Sequence, residues 1–130
     1  VTIFCSIYFQ SWLPVLFIVL PNFYGKTLVM LMGLTQHAGL QEDVKDHRLT
    51  TRTVYLNPIF SFLYWHMEYH VEHHMFPQVP SHNLKKLHTL IKDQMPPARK
   101  GLWGAYKEII PALFKQAKDP NYKVPLAIPN

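Results

Sequence analysis

Tyr64 to Pro77 reads YWHMEYHVEHHMFP. Four of the chain's eight histidines, His66, His70, His73 and His74, lie in it. Imidazoles crowded among aromatics and methionine need a reason, because each buried neutral ring requires a hydrogen-bond partner. Asn57-Pro58 marks a helix start, since proline fits the first helical turn, and Pro77 ends it. The stretch therefore predicts one helix over 59–75. At about 100° per residue, His73 lies about 60° to one side of His70 and His74 about 40° to the other. His66 falls on the same face one turn earlier. Glu68 and Glu72 project about 160° away. They are not co-ligands of the histidines and are expected to pair with their neighbours or with cations of the flanking loop or tail.

Imidazole suits iron, zinc, copper and nickel. The zinc signatures HExxH and HxxEH are absent. Neither Glu68 nor Glu72 has a histidine three residues on, as a carboxylate-bridged di-iron bundle requires. A site ligated mostly or wholly by histidine remains. His82 and His88 lie beyond Pro77 on a polar helix, do not share a face, and read as surface residues.

The chain has 130 residues and one cysteine, Cys5. That is one domain, with no internal disulfide and no cysteine-based zinc site. It begins at Val1, inside an apolar run, and reads as the C-terminal part of a longer protein. Of thirteen Lys and Arg residues only Lys26 precedes residue 45, and all eight acidic residues follow residue 40. No dense basic run or nucleic-acid motif accompanies the positive balance, so nucleic acid is not the expected partner. An uncharged apolar start followed by a basic remainder reads as membrane followed by cytoplasm.

Val1 to Leu20 is uncharged and close to the roughly 20 residues that cross a bilayer. Pro21, Asn22 and Gly25 form a turn signal, and a second apolar segment covers 27–40. Residues 1–40 are therefore expected to form a helical hairpin in the membrane. His37, near the end of its second helix, is a functional candidate because ionisable groups in such places are costly. The polar stretch 41–53 reads as a loop, with Lys45, Arg48 and Arg52 placing it on the cytoplasmic side. His47 in this loop reads as solvated. Beyond Pro80, Ser81 is the expected cap of a helix carrying Leu84, Leu87, Leu90 and Ile91. Residues 103–117 read as an amphipathic piece interrupted by Pro111, and 119–130 as extended. The fold class is all-α. One domain spans 1–130: hairpin 1–40, loop and histidine helix 41–80, cytoplasmic tail 81–130.

HVEHHMFP, with Tyr69 before it and Pro80 soon after, resembles the third histidine box, HxxHH, of the membrane fatty-acid desaturase and hydroxylase superfamily. TQHAGL at 35–40 resembles the isolated histidine segment that precedes that box. The stretch from Leu34 to Pro77, with EIIPAL at 108–113, is more specifically similar to bacterial desaturases of the rhizopine-catabolism oxygenase type. The resemblance covers roughly residues 30–117.

It implies two non-haem irons at the cytoplasmic edge of a multi-pass helical bundle, in a bacterial inner membrane. His37, His70, His73 and His74 would be ligands; His66 is not part of the box, and only its helix face makes it a candidate outer group. It also implies O2 as co-substrate, oxidation of an unactivated C–H bond in a lipid or acyl substrate, and an electron donor such as a ferredoxin or cytochrome b5. Four histidines are too few for two irons. The superfamily's two earlier boxes have no place here, since no histidine precedes His37, so the chain alone is expected to be inactive. A hydroxylase of the same superfamily acting on a small rhizopine-type compound, and a membrane protein binding zinc or copper without catalysis, are the alternatives.

Overall fold

The computed structural model describes residues 1–129 and divides into two compact units, residues 1–31 and the described residues from 32 onward. Among the described residues the regular structure is helical apart from one pair of two-residue strands, joined by turns and loops, which agrees with the all-α expectation.

The first unit is built from apolar helix and almost nothing else. Helix α1 spans Thr2–Tyr8. The chain breaks at Gln10, whose φ is +47°, and resumes in a wide π turn over Val15–Val19 that runs into α2, Leu20–His37. The break of the expected hairpin therefore lies near residue 10, not at Pro21–Gly25. Proline lacks the N–H that would reach the carbonyl of residue 17, and its ring crowds that carbonyl. The π turn sits immediately before Pro21, where Leu20 N–H bonds to Val15, and widened turns of this kind accommodate such a mismatch. Helix then continues through Asn22 and Gly25. Residues 15–37 form a 23-residue helix long and apolar enough to cross a membrane, about 34 Å at 1.5 Å per residue. No other described helix meets that standard. Lys26 is exposed near its middle.

The second unit holds the core. Helix α2 ends because Gly39 adopts φ +80°, a left-handed conformation that costs glycine nothing. A Cβ there would lie 3.2 Å from Ala112 and 3.3 Å from Val124. The Gly39 carbonyl accepts from Val124 N–H at 2.8 Å, so the extended tail lies against the helix end, where Leu40, Ala112 and Val124 pack with Tyr122 and Leu126. Helix α3 is a single turn, His47–Thr50, capped by the Asp46 carboxylate. Strand β1, Val54–Tyr55, pairs in parallel with β2, Arg99–Lys100. Helix α7, Gly101–Gln116, runs through Pro111 without interruption and buries Ala105 and Ile109 against Val54.

The expected single helix over 59–75 is two helices. α4 spans Pro58–Leu63, capped by Asn57, and α5 spans His70–Met75. Between them Trp65 and His66 both have φ +56°. The reason is tertiary. The Met67 carbonyl accepts from the Gln36 side chain, and the Glu68 carbonyl accepts from Val54 N–H at 3.0 Å. Those carbonyls are satisfied from outside, so the helix ladder is not needed there. Helix α6, Leu84–Ile91, follows a turn of 3₁₀-helix at Ser81–Asn83. It buries Leu84, while Leu90 is exposed.

Candidate metal centre

His37 ends α2, and His70 and His74 lie one turn apart on α5. The two elements bring three Nε2 atoms together. His37 Nε2 lies 2.9 Å from His70 Nε2, and His74 Nε2 lies 3.0 Å from His70 Nε2. All three lie within 4.8 Å of one another. His37 Nδ1 lies 3.2 Å from the Thr50 carbonyl. A carbonyl only accepts, so Nδ1 carries the proton and Nε2 presents a lone pair to the cluster. Burial, followed by the fields of His37, His74 and His73, pushes the pKa of His70 down to about 3. Burial and the nearby imidazoles of His37, His47 and His73 also lower that of His74. These rings are held neutral, which is the form that binds a metal. Three convergent imidazoles fit a first-row metal ion.

His73 stands beside this triplet. Its ring centroid is 5.7 Å from that of His70 and 5.9 Å from that of His74, and its Nδ1 is buried without a hydrogen-bond partner among the described residues. His66 does not join them. The break before α5 turns it aside, and its Nδ1 bonds instead to Ser61 at 2.8 Å. Ser61 in turn donates to the buried Glu68 carboxylate.

Two further histidines differ from their sequence reading. His47 is not a free loop residue. It is half-buried, its ring centroid lies 5.3 Å from that of His74, and with His37 and His74 it lines a cleft of about 440 Å³. No periodicity in 41–53 signals this, because a one-turn helix places it. His88 is 7% exposed. Its Nδ1 donates to Glu72 Oε1 at 2.5 Å, and its Nε2 accepts from the Tyr55 hydroxyl at 2.7 Å. Thr53 donates to the other Glu72 oxygen at 2.8 Å. Here a signal was available, because His88 lies one turn after buried Leu84 and so shares its face. Glu72, fully buried, thus anchors the side of α5 opposite the histidines. Arg52, read as a marker of the cytoplasmic side, is also buried, in an ion pair with Glu108.

Residues 1–106 match the family profile of fatty acid desaturases. This chain belongs to the fatty acid desaturase family. Within that family it is similar to a rice protein (Oryza sativa subsp. japonica) described as sphingolipid delta(4)-desaturase DES1-like, 27% identical over 86 residues. The match covers 65% of this desaturase-family chain and 24% of the rice protein, so the chain spans about a quarter of that relative's length. No solved structure matches.

Proposed function

We propose that this chain is the C-terminal part of the metal-binding core of a membrane desaturase-like oxidoreductase that uses two non-haem irons and O2. The observation that carries the reading is the convergence of the His37, His70 and His74 Nε2 atoms from two separate elements, in a chain of the fatty acid desaturase family. His37, His70 and His74 would hold one iron, and His73 is offered to the second. Bound iron would supply the O2-dependent oxidation of an unactivated C–H bond. The chain's own residues do the remaining work. Thr50 fixes the tautomer of His37. The Glu72–His88–Thr53 bonds fix α5 from behind. The low pKa of His70 keeps its lone pair free at neutral pH.

The substrate is a lipid acyl chain, which the apolar 15–37 helix would meet in the bilayer. Electrons come from a ferredoxin or cytochrome b5. The histidines lie at the C-terminal end of that helix, next to basic Lys45, Arg48 and Arg52, which supports a cytoplasmic face by the positive-inside rule. A bacterial inner membrane is the setting. The test is metal analysis of the whole protein purified in detergent. Iron is expected to co-purify, and His70→Ala is expected to lower its affinity at least ~100-fold, as loss of a ligand exceeds loss of an outer partner. Zinc at one ion per chain with no iron overturns the reading.

A further inference from the structure

His37 closes α2, so the place of its Nε2 depends on where the helix end sits and how the ring is turned. Arg52 acts on the helix end. Its Nη1 donates to the Thr35 carbonyl at 2.7 Å, and both Nη atoms lie 3.3 Å from the Ala38 carbonyl. These carbonyls flank His37 at the C-terminal end of α2, where carbonyls lack helical partners and a cation complements the dipole. Two residues earlier, the Thr50 carbonyl accepts a hydrogen bond from His37 Nδ1–H. A single short segment therefore holds both the ring and the helix end.

Arg52 is 2% exposed, and what keeps a guanidinium there is Glu108 on α7. Arg52 Nε and Nη2 donate to Glu108 Oε1 at 3.0 and 2.7 Å. The other oxygen of Glu108 accepts from Arg99 Nε at 2.7 Å. The guanidinium thus links two carbonyls at the end of α2 to one carboxylate of α7. A lysine, with a compact charge and no planar fork, cannot meet all of them at once.

We propose that Arg52, held in place by Glu108, is a positioning residue for His37 and sets the location of its Nε2 in the metal centre. This rests on the metal reading above. Neither side chain touches the metal. Glu108 thereby ties α7 to a centre that α7 does not line.

The test is a Co2+ titration of the full chain in detergent, following affinity and the visible d–d bands, which report ligand geometry. Arg52→Lys is expected to weaken Co2+ binding ~10- to 100-fold, the range for outer partners of metal ligands, and to shift the bands. Glu108→Gln keeps the shape and one acceptor, and is expected to shift them in the same direction by less. It carries the test if Arg52→Lys fails to fold. A purely structural ion pair would lower the metal-free melting temperature but leave Co2+ affinity and spectrum at wild-type values in both variants, and that result overturns the proposal alone. Absence of Co2+ binding by the unsubstituted protein overturns the metal reading and this inference with it.

Discussion

Between Val1 and Leu31 there is one charged residue, Lys26, and no buried side chain. Between Met32 and Pro129 the chain buries Arg52, Glu68, Glu72 and His88, each with a hydrogen-bond partner. The first region is specified by what it lacks. Uncharged side chains around a helix suit a lipid environment, and the helix satisfies its own backbone. Little about any one uncharged position matters there. The second region is specified by particular pairings. A buried ionic or polar group left without its partner is costly, so one position can decide much. The two regions should therefore respond to substitution in different ways.

The largest effect is expected from Glu72→Ala in the second region. It strands His88 and Thr53 in a buried setting and should cost about 3–5 kcal/mol, read by denaturant unfolding in detergent. A loss under about 1 kcal/mol would show that buried pairing does not distinguish this region. Lys26→Leu tests the first region. If residues 15–37 cross as one span, removing a lysine from near the bilayer centre should favour insertion by about 2.5–3.5 kcal/mol, read in a glycosylation-based insertion assay. If the chain instead turns at the membrane surface around Pro21–Gly25, as its turn residues alone indicate, insertion should not change. Smaller again is Gly39→Ala. A methyl group 3.2 Å from Ala112 at φ +80° should cost about 1–2 kcal/mol, visible as a lower melting temperature. Gly25→Ala, with open space around the new methyl group, serves as the neutral counterpart in the first region.

Much of the candidate site was legible in the chain. The HxxHH spacing puts His70 and His74 one turn apart whether the preceding segment is helical or not, because the motif fits inside the single short helix α5. His66 was misjudged for the same reason in reverse. Its phase relative to His70 holds only if the helix is unbroken, and the break depends on Gln36 and Val54 claiming the carbonyls of Met67 and Glu68. No local pattern reveals a carbonyl that a residue many positions away will satisfy. The buried status of His88 was half-visible through Leu84, whereas that of Arg52 was not visible at all. Its partner Glu108 lies on another helix, and in sequence the arginine looks like any other cation beside an apolar segment.

By itself the sequence determined the all-α class, the apolar character of the first forty residues and the histidine spacing. These follow from composition and from distances of a few residues, where helix geometry is fixed by covalent structure and local hydrogen bonds. Only the tertiary structure decided that His37 joins His70 and His74, that His73 stands beside them, and that Glu72 and Arg52 hold their two helices from behind. Those outcomes depend on which groups far apart in the chain meet. That choice is made by the joint requirement to bury apolar surface and leave no buried polar group without a partner.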